Sequence, residues 1–382
     1  MRADILVLGG GPAGAACAIA LARAGLEVTV VEASPGPQAK IGETLPPALR
    51  PLLERLGLLA SLCADGHRVC HGNRSYWGSE QPTEDDFLRG LHGPGWHVDR
   101  VRFEGMLAGR AIDMGVRWLW DHRAVDARWA DGACTVEVEA PGALVAVVCR
   151  FVIDATGRPA RFAHGTGSHR HADDNLVGVA AVVQGDQRAP ADQSPGDQPA
   201  IDSFTQVEAM ASGWWYSAPL DGERLVVAFM SDGDLIDPVA LRSSAGFLAM
   251  LQQAPHTRTR MAAVGRPEHL LADIALRVLP ANSSYLQPLA GPGWLAVGDA
   301  AVSFDPLSAH GIGSAMTTGY YGACAVADHL RERADAIDAY RQLVVSMYAD
   351  YRQLLFAHYL AETRFADAPF WRRRRSRSTM PP

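Results

Sequence analysis

The sequence has 382 residues, enough for two or three domains with a sizeable core, and its 48% apolar and 20% charged residues are the balance of an ordinary globular protein. A net charge of −7 gives no ground for binding nucleic acid or an anionic membrane. The six cysteines (Cys17, Cys63, Cys70, Cys134, Cys149 and Cys324) lack metal or redox-pair spacing, so no metal is expected and they read as thiols of a cytoplasmic protein. No signal peptide or bilayer-length apolar run is found.

In chain order, ADILVLGG predicts an apolar strand and then a glycine turn. Gly9, Gly11 and Gly14 have the spacing in which one glycine makes the turn, one admits a pyrophosphate and one lets the helix pack on the strand. Pro12 and Ala13 open that helix, whose N-terminus offers unpaired N–H groups to phosphates. A second strand ends at Glu32, about 20 residues on, where a carboxylate accepts ribose hydroxyls. Pro35-Gly36-Pro37 breaks the unit, and KIGETLPPALRPLLERLGL turns into a helix. Residues 69–98 read as strands and loops outside the core. An amphipathic helix follows, with Phe103, Leu107 and Ile112 on its apolar side.

Strands then alternate through VRWLW, a turn at Asp131-Gly132, and FVIDATGR. The Pro/Gly/Asp-rich stretch 184–200 is expected to be an exposed loop. WWYSAPL and RLVVAFMS form a hairpin across Asp221-Gly222-Glu223; residues 239–253 predict one helix and 285–297 return to strand. Gly298-Asp299-Ala300 and a loop lead to a small-residue helix beginning around His310, and the chain stays mostly helical to about residue 365. The basic run Trp371–Arg377 reads as a solvated terminus or, alternatively, a contact for an acidic protein partner. Nucleotide fold, excursion, nucleotide fold, larger β-rich excursion and nucleotide fold succeed one another, which a contiguous dehydrogenase would not show.

With both ends placed, the chain resembles the large flavoprotein family of aromatic hydroxylases, geranylgeranyl reductases and flavin-dependent tryptophan halogenases. The resemblance is carried by Gly9, Gly11 and Gly14 with Glu32, by Gly42-Glu43-Thr44, by Asp99-Arg100, by Asp154-Ala155-Thr156-Gly157, and by Gly298-Asp299 with Asp305-Pro306-Leu307. It implies an α/β fold with a discontinuous Rossmann-like FAD-binding domain (p-hydroxybenzoate hydroxylase-like) over 1–68, 99–165 and 285–330. A mostly antiparallel β-sheet substrate domain would occupy 69–98 and 166–284, and C-terminal helices with the basic tail 331–382. It also implies that Asp299 binds the ribityl chain, that Arg100 and the Val125 backbone touch the cofactor, and that N–H groups at Gly311 and Ile312 face the flavin ring. GNRSYWGS, GWHVDRVRFE and GWWYSAPLDGERLVVAFMSD are similar to the flavoproteins that modify tryptophan in a partner polypeptide while cysteine tryptophylquinone cofactors mature.

Two departures narrow the chemistry. Halogenases of the family use a lysine beyond the Gly-Glu-Ser/Thr turn, but the only lysine here, Lys40, precedes it, and Trp214-Trp215-Tyr216-Ser217-Ala218-Pro219 replaces their W-x-W-x-I-P string. Halogenation is therefore disfavoured. No second glycine fingerprint marks a nicotinamide site, so electrons would come from reduced nicotinamide used directly or from a separate flavin reductase. His310, Glu43 and His97 are the candidate acid–base or substrate-orienting groups, and Tyr76, Trp77, Trp96, Trp214, Trp215 and Tyr216 either line an indole cleft or pack a sheet. The expected activity is oxygenation with O2 through a flavin C4a-hydroperoxide, of an electron-rich aromatic: a tryptophan of a quinone-cofactor enzyme precursor. The rival readings are a flavin-dependent reductase or dehydrogenase of a lipid or small molecule, and a flavin-containing assembly factor.

Overall fold

The computed structural model describes residues 1–185, 201–272 and 274–376. The stretch expected to be a loop over 184–200 lies, from residue 186, outside them. Ile5–Leu8 sits at the heart of a six-stranded sheet ordered Ala290–Gly291, Trp294–Ala296, Phe151–Asp154, Ile5–Leu8, Val28–Glu32, Arg117–Trp120. The last five strands run parallel. Ile5, Leu6 and Val7 are wholly buried, as a parallel sheet covered on both faces requires. The Pro12–Arg23 helix packs on this sheet and against Gly311–His329.

A second, seven-stranded sheet is ordered Arg277–Pro280, Leu176–Gln184, Arg224–Asp232, Gly213–Leu220, Phe204–Met210, Gly72–Tyr76, Thr83–Asp86. It is antiparallel except where Phe204–Met210 meets Gly72–Tyr76. Its central hairpin turns at Asp221-Gly222-Glu223 as expected, with Gly222 at φ 67° and Glu223 at φ 59°. The Asp131-Gly132 turn is likewise left-handed, at φ 50° and 76°, the geometry of a two-residue hairpin loop. Among the described residues no helix is long and apolar enough to cross a membrane.

Four local expectations need correction. The Arg100–Asp113 helix buries Phe103, Leu107 and Ala111, while Ile112 is 47% exposed; four-residue spacing keeps the stripe on 111, and 112 turns away. The helix expected over 239–253 is two, Pro238–Leu241 and Ser244–Leu251, because Ser243 takes extended backbone and caps the second through Gly246 N–H. The strand expected over 285–297 is three short pieces, interrupted by Pro288-Leu289 and by Pro292-Gly293. The basic run Trp371–Arg377 is solvated only in part: up to residue 376 it lies on the helix Pro369–Ser376, whose Phe370 and Trp371 are fully buried and whose Arg374 is 8% exposed, while Arg372 is exposed and Arg377 lies outside the described residues. Two of its arginines pair internally, Arg374 with Asp232 and Arg373 with Asp232 and Asp234.

Candidate active site

A cavity of about 2070 Å³ runs from the glycine turn to the seven-stranded sheet. Two helix N-termini open onto it. Gly11 caps the Pro12–Arg23 helix and His310 the Gly311–His329 helix, neither with a side-chain hydrogen bond, so their first N–H groups remain free for a ligand. Gly9 holds φ +108° against the Ala155 carbonyl, and a side chain on Gly14 would collide with the Gly9 carbonyl. By contrast, a Cβ on Gly11 would meet nothing within 4 Å. The turn is tight behind and vacant in front, which fits a pyrophosphate.

The anticipated cofactor residues fall along this cavity. Gly9, Gly11, Pro12, Ala13, Glu32, Arg100, Val125, Asp299, Gly311 and Ile312 all line it, and Gly14 packs beneath the turn. The Glu32 carboxylate braces the turn, accepting Gly10 N–H at 2.6 Å and Ser34 N–H at 2.9 Å. Arg100 donates to the Gly42 carbonyl at 2.8 Å and pairs with Glu104, so it also shapes the 40–44 turn. Arg170 fixes the Asp299 turn through the Asp299 and Ala300 carbonyls, at 2.9 and 2.7 Å. The Asp299 carboxylate keeps only a loose ion pair with Arg158, at 3.7 Å.

Glu43 also lines the cavity and is 1% exposed. Its Oε1 accepts the Tyr216 hydroxyl at 2.5 Å and its Oε2 the Gly42 N–H at 2.8 Å. Burial pushes this carboxyl up, opposed by those two bonds and by the Arg100 charge. Tyr216, from Gly213–Leu220, faces the cavity beside an apolar wall of Gly178, Ala180, Met230, Leu279 and Ala281. A hydrogen-bonded chain runs inward from the Tyr216 hydroxyl through Thr44 (3.0 Å) and Thr205 (3.1 Å) to His97 Nε2 (2.9 Å).

The other two acid–base candidates are not brought together with Glu43. His97 is fully buried and lies outside the cavity wall. Burial first, then Arg260 and Arg68, push it down to about 3. Its ring reaches the Tyr216 hydroxyl only through Thr205 and Thr44, not directly. Ala309 and Gly311 line the cavity while the His310 ring, exposed between them, does not. Of the six aromatics considered for an indole cleft, only Tyr216 lines the cavity; Trp214 and Trp215 are fully buried, and Tyr76 stacks on His256. Strand alternation was the available signal: it puts Tyr216 on the face opposite Trp215.

Residues 78–382 match the tryptophan halogenase family, and residues 4–67 match the family of FAD-dependent oxidoreductases. LodB of Marinomonas mediterranea, named as an FAD-dependent oxidoreductase, is 27% identical over 99% of this chain and 98% of its own. The myxobacterial chondrochloren halogenase CndH superposes with a TM-score of 0.83 at 23% identity, over 98% of this chain and 86% of that one. The peptidyl tryptophan dihydroxylase QhpG, essential for tryptophylquinone cofactor biogenesis, superposes with a TM-score of 0.76 at 22% identity, over all of this chain and 80% of that one. At these identities the structural likenesses are likenesses of fold. The chain belongs to the tryptophan halogenase family and is an FAD-dependent oxidoreductase of the halogenase and hydroxylase type.

Proposed function

We propose that this protein is an FAD-dependent monooxygenase that hydroxylates a tryptophan side chain of a partner polypeptide during maturation of a quinone-cofactor enzyme. The observation that carries this reading is the Glu43–Tyr216 pair, a buried carboxyl acceptor in the cavity wall next to an apolar sheet face. That combination suits an indole, which offers one N–H donor and an otherwise apolar ring. Halogenation is disfavoured because Lys40, the only lysine, is tied to Glu104 at 2.7 Å. The QhpG fold likeness supports the choice of a peptidyl tryptophan.

Segments 1–68, 99–165 and 285–330 serve to bind FAD, and 69–98 with 166–284 to hold the substrate. FAD, when bound, supplies the electrons and the activation of O2. The chain's own part is positional. The N–H groups after Gly11 hold the pyrophosphate, Glu32 meets the ribose, and Asp299 the ribityl hydroxyls. The N-terminus at Gly311 and Ile312 places its positive dipole end at the ring. The apolar wall excludes water, and Glu43 accepts the indole N–H and so raises the electron density of the ring. Reducing equivalents come from reduced nicotinamide or a partner flavin reductase. Six free thiols fit a cytoplasmic setting.

The test uses FAD-reconstituted protein with a reduced-flavin supply, O2, chloride and a tryptophan-bearing quinone-enzyme precursor. Intact mass should rise in steps of about 16 Da, the mass of one transferred oxygen atom. A gain of a chlorine in place of a hydrogen, or turnover without air that adds only hydrogen, would overturn the reading.

A further inference from the structure

The basic C-terminal helix has no place in the chemistry above, yet it is joined to the ring side of the cavity by a buried polar path. Arg374 makes a two-pronged pair with Asp232, at 2.9 and 3.1 Å, and lies over the rings of Phe370 and Tyr359, at 3.5 and 4.9 Å. Trp371 donates to the Met210 carbonyl at 2.8 Å, and Arg375 donates to the carbonyls of Leu360 and Glu362. Helix Pro369–Ser376 is thus clamped between the end of the seven-stranded sheet and the end of Ala336–Ala361.

Tyr359 stands at the centre of this clamp, 3% exposed. It accepts Trp214 Nε1–H at 3.2 Å, and its hydroxyl donates to Asp305 Oδ2 at 2.7 Å. Asp305, 1% exposed, spends its other oxygen on Leu307 N–H at 2.9 Å, and its own N–H donates to the Tyr351 hydroxyl at 2.7 Å. Asp305 opens the segment that runs through Pro306 and Ala309, both cavity-lining, to the Gly311 helix N-terminus. Ala309 holds φ 53°, a conformation that costs a non-glycine residue free energy and needs support from its surroundings.

We propose that Tyr359 is a positioning residue for the ring-side loop 305–311: its hydroxyl anchors Asp305, and the C-terminal helix holds Tyr359 against that loop. The proposal rests on the FAD reading for its consequence, but not for its test. Asp305 faces Asp174, Arg352, Tyr359 and Arg374 around a small cavity of about 30 Å³, with Tyr351 at its backbone N–H and Asp232 behind Arg374. Burial and the nearby Asp174 carboxylate push Asp305 up to about 7, while the bonds from Leu307 and Tyr359 and the Arg374 charge hold it down. Tyr359 therefore counts most when Asp305 is ionised, because a hydrogen bond to a charged acceptor is the stronger kind.

The experiment compares amide hydrogen exchange across 307–311 in the apoprotein of the wild type, Tyr359→Phe and Arg374→Gln. Arg374→Gln leaves Asp232 its pair with Arg373. At pH 8, exchange in Tyr359→Phe should be about tenfold faster than in the wild type, with strands 5–8 and 28–32 unaffected. At pH 5.5, after correction for the intrinsic rate, the ratio should fall to about threefold, as expected for a neutral bond. Arg374→Gln should shift in the same direction. A ratio independent of pH, unchanged exchange at 307–311, or acceleration spread over the whole chain would each overturn the proposal. FAD titration of the wild type separates the two readings, since a protein that fails to bind FAD but shows these ratios sinks the cofactor reading alone.

Discussion

Gly14→Val should lose FAD retention and stability together, whereas Gly11→Ala should lose only the first. Both glycines belong to one turn, but their surroundings differ. Any side chain on Gly14 runs into the Gly9 carbonyl and meets the Ala155 methyl at 3.3 Å, and Gly9 is itself fixed at φ +108° against Ala155. The helix cannot retreat without uncovering the buried strand Ile5–Leu8. Valine there should cost about 3 kcal/mol or more, in the upper range for overpacking. Gly11 has a φ of −70° that any residue adopts, and open space in front. Alanine at this cap should change apoprotein stability by about 1 kcal/mol at most. Its methyl occupies the space where the phosphates approach, and losing two charge-assisted hydrogen bonds weakens FAD by about a hundredfold. Apoprotein melting and fluorescence titration with FAD check the two halves separately. Wild-type affinity in Gly11→Ala would remove the pyrophosphate from this turn.

The contrast between these glycines also shows what the sequence could reveal. The turn, its helix and the strand ending at Glu32 are local, and their chemistry is written in consecutive residues. The remote pairing of Gly11 with Asp299 was legible because each end carries its own motif. What stayed hidden depends on contacts far apart in the chain. Tyr216 and Glu43 are 173 residues apart, and nothing in either local string says that one hydroxyl reaches one carboxylate. His97 looked available because histidine titrates near neutrality, yet the pairing of its strand Gly95–His97 with Thr44–Leu45 and Arg68–Cys70 buries it completely. The arginine run failed for the same reason: charge suggests solvent, but Asp232 and Asp234, some 140 residues away, were waiting to pair with it. Ile112 was a smaller miss of helical phase, correctable from the Phe103 to Leu107 to Ala111 step.

Glu43→Gln should lower the rate of oxygen transfer by about a hundredfold, the lower bound typical of a removed acid–base group, while leaving FAD affinity near wild type. The substitution keeps shape. A glutamine oxygen can accept Gly42 N–H, and the Tyr216 hydroxyl can turn to accept from the amide while donating to Thr44, already 3.0 Å away. What is lost is the negative acceptor for the substrate N–H. Because burial raises the Glu43 carboxyl, wild-type activity should fall as pH drops through a value above the ordinary carboxylate range. Tyr216→Phe removes a bond that holds this carboxyl down, so its acid limb should move to higher pH; Glu43→Gln should have no such limb. Folding gives an independent sign. The native state keeps the Glu43 proton to higher pH than the unfolded chain, so this group opposes folding increasingly as pH rises from about 4.3 through its raised value. Urea unfolding at pH 5 and pH 8 should show Glu43→Gln gaining on the wild type at the higher pH. A rate loss with the acid limb intact in Glu43→Gln would assign that titration elsewhere and leave Glu43 only a packing role.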